Sequence, residues 1–207
     1  AWEEGKWLLN EAKCKVWVKY HNVTPARFYK DYDKEGYYAT QAGESQTHAI
    51  ACHAKIEKFI GASAYNCESL KQLGVDSDRM IVIPPFMMTE EYNTANIDAD
   101  LAAKLDDDKK HFLTVGRVVP NKGHFHLIHT LQSYVNFFGP RIKLHIVGSL
   151  TMQDKRYYYE LQNMINNLHL GEQINFHQNT NFDEMHTFYR TVDAFIMMSE
   201  HEGFCLP

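Results

Sequence analysis

Short runs of β-branched and apolar residues alternate along the chain with longer stretches whose apolar residues recur every three to four positions. The runs predict strands at residues 15–20, 58–63, 80–83, 112–115, 143–147, 173–176 and 194–198. The stretches between them predict helices. Tyr158, Leu161, Ile165 and Leu168 make one apolar stripe; Phe182, Met185, Tyr189 and Val192 make another. Strand and helix in alternation is the pattern of βαβ units around parallel sheets, so the fold class is α/β.

Punctuating residues sharpen this outline. Thr24-Pro25 supplies an N-cap hydroxyl followed by proline at the first helical position. A helix is expected over 37–55, and Gly74 suits the C-terminus of another over 63–73. Two prolines close the third strand. Residues 89–108 are then polar, acidic and weakly patterned, with a short helix near 98–105 and the charge run Asp106-Asp107-Asp108-Lys109-Lys110. Three strands before this connector and four after it predict two parallel-sheet domains: 1–86, a linker over 87–110, and 111–207. The chain opens on Ala1 and stops at Pro207, where an α/β unit should enter its next helix. Both domains are therefore expected to be incomplete and the sequence to be a fragment.

Composition narrows the function classes. The 207 residues are 44% apolar, ample for packed cores, and the formal net charge is −5 with Lys and Arg scattered. That argues against a nucleic-acid partner. The apolar runs fall far short of the ~20 residues of a membrane-spanning helix, and nothing resembles a signal peptide. Cys14, Cys52, Cys67 and Cys205 lie far apart without a CxxC pair, which reads as reduced thiols in a cytoplasmic protein. Among the histidines, His126 and His129 share a helix face. No carboxylate or cysteine joins them at ligand spacing, so no metal site is assigned.

Two constellations carry chemistry. The strand ending in Thr114-Val115-Gly116-Arg117 is followed by Lys122-Gly123 and an amphipathic stretch over 125–135. In parallel sheets ligands bind at the carboxyl ends of strands. There Gly116 allows a tight turn, Arg117 and Lys122 supply fixed cations, and the following helix offers its positive end, a combination suited to a diphosphate. The plainer alternative is an ordinary turn with surface cations. The second constellation is Ser199-Glu200-His201-Glu202-Gly203-Phe204-Cys205-Leu206-Pro207. Glu202 beside Gly203 can accept hydrogen bonds from vicinal sugar hydroxyls, or can simply cap a helix. The backbone N–H groups of Gly203, Phe204, Cys205 and Leu206 would be unpaired at a helix start. Glu200 reads as a solvent-facing neighbour and Cys205 as a small packed residue. His21, ending the first strand, can line a cleft.

Together these segments resemble the retaining glycosyltransferases of the GT-B fold, family 4, in particular the bacterial group 1 enzymes. The resemblance rests on Val115-Gly116-Arg117 with Lys122-Gly123, on Ile146-Val147-Gly148, and on Glu202-Gly203-Phe204-Cys205-Leu206-Pro207. Tyr20-His21-Asn22-Val23-Thr24-Pro25 and Ile81-Val82-Ile83-Pro84-Pro85-Phe86 add to it. It implies two Rossmann-like domains facing each other across a cleft. It further implies that Arg117 and Lys122 neutralise the donor diphosphate in place of a metal, with Gly116 beside them. Glu202 would bind the donor sugar, aided by the backbone of Gly203, Phe204, Cys205 and Leu206, with His21 as a cleft histidine. Asn179 and Thr180 would read the base through their backbone.

The implied activity is metal-independent transfer of a hexose from a UDP- or GDP-sugar to a saccharide or lipid-linked acceptor, with no cofactor beyond the donor. It belongs to polysaccharide biosynthesis on the cytoplasmic side, with peripheral contact at the inner membrane face. The competing readings are a non-catalytic nucleotide-sugar-binding domain and a GT-B sugar-nucleotide epimerase.

Overall fold

The computed structural model describes residues 6–86, 90 and 94–205. Leu206, one of the backbone donors expected above, and Pro207 lie outside the described residues. Two parallel sheets, of three and four strands, form on either side of the acidic connector. The chain divides into two units: residues up to 86 together with 201–205, and residues from 90 to 200.

In the first unit the helix α1 (Lys6–Glu11) precedes the sheet, whose strands β1 (Val16–Tyr20), β2 (Ile56–Gly61) and β3 (Met80–Val82) lie in that order. Helix α2 (Lys34–Ala51) carries the crossover from β1 to β2, and α3 (Ala64–Gln72) that from β2 to β3. The central strand is the most buried, and its Ile56 and Phe59 pack with Ala51, Leu70 and Val75 into the core. Burial of Ile56 explains why β2 starts two residues earlier than its alternation suggested. Ser63 caps α3 by accepting from the Asn66 N–H. Gly74, at φ +92°, lets the chain reverse so that Val75 N–H reaches back to the Leu70 carbonyl.

Two local expectations are corrected here. Thr24-Pro25 does not cap an α-helix: Pro25 flanks a short 3₁₀ turn, Ala26–Phe28, with no side-chain cap, because Ala26 and Phe28 are drawn into the interior. The helix expected over 37–55 runs instead over Lys34–Ala51; past Cys52 the chain must turn into β2, and the Ile56 N–H bonds the His53 carbonyl.

In the second unit β4 (Lys110–Val115), β5 (Ile142–Val147), β6 (Ile174–His177) and β7 (Ala194–Phe195) pair in the order β6-β5-β4-β7. Its helices include α4 (Ala99–Leu105), α5 (His124–Phe138), α6 (Lys155–Asn167) and α7 (Phe182–Thr191). One face of the sheet packs Leu113 and Val147 against Leu105 of α4 and Phe188 of α7. On the other, Phe112 and Leu144 meet Leu127 and Leu131 of α5. Helices on both faces of a parallel sheet explain why these strands read as nearly continuous apolar runs. Strand β7 is shorter than the expected 194–198: after Ile196 N–H bonds the Leu113 carbonyl, the chain leaves the ladder. Asp98 caps α4 through the Leu101 N–H, and its own N–H bonds Thr187 Oγ1 of α7.

One feature of this sheet was invisible in the sequence. His111, His145 and His177 sit on three adjacent strands, displaced diagonally because His145 pairs in register with Leu113 and Asn175. Their rings join end to end, His111 Nδ1 to His145 Nε2 and His145 Nδ1 to His177 Nε2, each at 2.9 Å. His111 Nε2 reaches Asp107 Oδ1 at 3.0 Å. Phe188 covers the His145 and His177 rings. Burial pushes His145 down to about 3 and also lowers His177.

Candidate functional site

The strand order of the second sheet reverses at β4: β5 and β6 extend to one side and β7 lies on the other. This is the topological switch point, where the carboxyl ends of β4 and β7 diverge and ligands enter open α/β sheets. Gly116, Arg117 and Lys122 follow β4 at that point, and Asn179 and Thr180 follow β6 at the same edge.

Backbone proximity shapes the turn. A Cβ on Gly148, just beyond β5, would stand 1.9 Å from the Gly116 carbonyl oxygen, so that strand end has no room for a side chain, while Gly116 itself takes φ +149°. Lys122 folds over Gly116, its Nζ 3.6 Å from where a Cβ on that glycine would lie. Pro120–Lys122 is a 3₁₀ turn, and Gly123, at φ +68°, starts α5. A Cβ on Gly123 would meet the Met198 carbonyl oxygen at 1.9 Å, so the crossover is pressed against the chain leaving β7. Glu200 N–H bonds the Asn121 carbonyl, and His126 Nε2 lies 3.4 Å from Glu200 Oε1, fastening the two sides of the switch point. Glu200, expected to face solvent, is exposed and also makes this contact.

Arg117 is held at its tip. Its Nη2 donates to both oxygens of Asp154, at 3.1 Å each. The Arg117 side chain is 47% exposed while that of Asp154 is 3% exposed, so a buried carboxylate anchors a guanidinium that reaches water. The sequence reading missed Asp154; Thr151-Met152-Gln153-Asp154 has the spacing of a capping box, and that motif could have drawn attention to it. Behind the turn, His124 is buried and pushed down to about 4, chiefly by burial and further by the Lys122 charge. A neutral His124 thus sits beneath a cationic turn. The site therefore gathers two cations, a helix N-terminus and a glycine-lined backbone, which together can accept an anion with several oxygens.

In the first unit, His21, Gly203 and their neighbours cluster. His21 is exposed at the end of β1, and the next residue, Asn22, takes φ +75°. Asn22 Oδ1 accepts from Val23 N–H and from the Tyr20 hydroxyl, while its Nδ2 donates to Asn66 Oδ1 at 3.2 Å. Asn66, fully buried, donates in turn to the Tyr20 carbonyl. Gly203 seats against this turn: a Cβ there would meet the His21 carbonyl oxygen at 2.5 Å, and Ser63 Oγ donates to the Gly203 carbonyl at 2.7 Å. His21 and Gly203 are thus brought together through backbone. Ser63, Asn22 and Asn66, which the sequence did not single out, hold them. Glu202 and Phe204 are part-buried and Cys205 is exposed. The described residues of 201–205 are not helical, so the helix start expected over 203–206 does not appear there. His201 packs near Phe28 and Tyr65, and burial lowers its pKa.

Among the described residues no three His, Cys, Asp or Glu side chains converge as a metal site, and no helix is long and apolar enough to cross a membrane.

The model of the family described as "Glycosyl transferases group 1" matches residues 98–207, more than half of the chain, and the protein belongs to that family. No curated protein matches the sequence. Among solved structures, the chain resembles HepE of Anabaena, in complex with UDP and glucose, at 16% identity and TM-score 0.71, covering 93% of this chain and 49% of that one. It resembles the sucrose-phosphate synthase of Thermosynechococcus elongatus at 20% identity and TM-score 0.69, with 98% and 49% covered. A trehalose-6-phosphate protein from E. coli, bound with UDP-2-fluoro glucose, matches at 11% identity and TM-score 0.70, with 95% and 50% covered. At these identities the likeness shows the fold, and the chain spans about half the length of these structures.

Proposed function

We propose that the protein contributes to a retaining glycosyltransferase that moves a hexose from a UDP- or GDP-sugar to a saccharide or lipid-linked acceptor. The observation that carries this reading is Lys122 folded over Gly116, with Arg117 next in the chain and the start of α5 behind them, at the switch point. Departure of a nucleoside diphosphate leaves negative charge on its β-phosphate. Fixed cations placed there stabilise that charge as it develops, and so lower the barrier without a metal ion. With His124 neutral, the turn's cations are Arg117 and Lys122. Membership of the group 1 family and the UDP-containing complexes of HepE support a nucleotide-sugar donor.

In this reading Glu202 takes hydroxyls of the transferred sugar, helped by the backbone of 203–206, and His21 serves the same sugar. Asn179 and Thr180 read the base; the positive φ of Asn179, +57°, turns the chain at that point. The acceptor hydroxyl attacks from the leaving-group face and passes its proton toward the departing phosphate, so no protein nucleophile is needed. A role in polysaccharide biosynthesis at the cytoplasmic membrane face belongs to the same proposal.

Titration calorimetry with UDP and GDP tests the site. Arg117→Ala and Lys122→Ala should each weaken the better ligand by roughly 10- to 100-fold, the range of a lost charge-assisted hydrogen bond. Unchanged affinity in both variants would remove the diphosphate assignment. Glu202→Ala should reduce sugar-nucleotide turnover more than diphosphate binding, and NMR of the product should show a retained anomeric configuration.

A further inference from the structure

Asp154 has no part in the scheme above, yet it is the most buried charged side chain touching the nucleotide turn. We propose that Asp154 is a positioning residue, whose carboxylate orients the Arg117 guanidinium so that its remaining N–H groups meet the diphosphate. The inference rests on the reading of residues 116–122 as a diphosphate site.

Three observations carry it. First, the carboxylate is itself immobilised: Thr151 N–H and Thr151 Oγ1 both donate to Asp154 Oδ2, at 3.0 and 2.6 Å, closing the capping box ahead of α6. Second, it engages a single nitrogen of Arg117, Nη2, leaving the donors on Nη1 and Nε for a ligand. Third, the burial is one-sided, with the carboxylate inside and the cation reaching solvent, which is how an anchor and its arm are distributed.

Two effects of the carboxylate oppose each other. It repels an incoming phosphate, and it removes the rotamer freedom that a long arginine otherwise loses on binding. The repulsion acts where water and salt reach the guanidinium and is screened there. The orientation is a matter of geometry and is not screened. Orientation therefore dominates, more completely as salt rises. The carboxylate also makes Arg117 something lysine cannot replace, because an ammonium has no second nitrogen left to present after one is tethered.

The experiment is a double-variant cycle with UDP as the probe, titrated at about 0.15 M and 0.5 M salt. Asp154→Asn should weaken UDP binding by about five- to tenfold, with the larger loss at the higher salt concentration. In an Arg117→Ala background the same change should have no further effect. A variant that binds UDP as well as or better than the wild type would overturn the proposal, and so would an equal loss in both backgrounds, which marks a merely structural role. Should D154N fail to fold, the wild-type protein still decides. Nitrogen-detected NMR should show separate, slowly rotating Nη resonances for Arg117, and coalesced ones would overturn the tether. Failure of the wild type to bind UDP or GDP, or full binding by R117A, would instead overturn the reading of the site itself.

Discussion

The first crossover of each sheet leaves its strand at the same relative place and is built from opposite materials. After β1 the turn is organised by neutral amides, Asn22 and the buried Asn66, around the Tyr20 carbonyl. After β4 it is organised by the absence of side chains at Gly116, Gly123 and Gly148, and by charge at Arg117, Lys122 and Asp154. An amide network fixes a backbone and offers little to a polyanion. A glycine-lined turn lets two cations and a helix end converge. The contrast explains why the second crossover, and not the first, reads as the phosphate site, although both end a parallel strand beside a helix N-terminus.

Acid should separate the two units most. His145 and His124 are pushed down to about 3 and 4, chiefly by burial. The unfolded chain takes up their protons near pH 6.5, well before the folded one does. Their contribution is thus complete above about pH 6.5 and is lost as pH falls toward the folded values, at about 1.4 kcal/mol per pKa unit for each group. Between pH 7 and 5 the second unit should lose roughly 4 kcal/mol. Amide exchange should show protection falling in β4 and β5 and holding in β1 and β2; equal losses in both sheets would break the comparison.

Glycine comes next. Gly123→Ala must relieve both a positive φ and a 1.9 Å approach to the Met198 carbonyl. We expect a loss of about 3 kcal/mol in urea denaturation, together with weaker UDP binding. Normal stability in this variant would mean that the close approach is not obligatory.

On the amide side, Asn66→Ala leaves the Tyr20 carbonyl with the Ala62 N–H alone, takes the acceptor from Asn22 Nδ2, and should cost about 2 kcal/mol, with no added dependence on pH or salt. Ser63→Ala removes the α3 cap and the bond to the Gly203 carbonyl, and about 1 kcal/mol is expected. A shift in diphosphate affinity from either change would show that the two crossovers are less independent than their chemistry suggests.

What the sequence disclosed followed from local periodicity. The β-branched runs placed all seven strands within a few residues, and the stripe Leu161–Ile165 marked the buried face of α6. Arg117 and Lys122 were legible because a strand, a glycine and two cations are adjacent in the chain. Asp154 was not, since its partner lies 37 residues away and an aspartate in a polar turn looks solvated. The diagonal of His111, His145 and His177 requires knowing the register of three strands, which no single segment encodes. The Thr24-Pro25 cap failed because burial of Phe28 outweighed a local helix-start signal.

That diagonal has a consequence of its own. Hydrogen bonds accepted from Lys109 and His111 hold the Asp107 carboxyl well below the usual carboxylate range, so at neutral pH it can only accept. His111, in its neutral form, must then carry its hydrogen on Nε2 and receive on Nδ1. His145 is obliged to do the same, and His177 after it, each ring handing the constraint to the next strand. One surface aspartate thereby dictates the tautomer of three imidazoles across the sheet, and Asp107→Asn, which can donate as well as accept, would release all three to reverse direction.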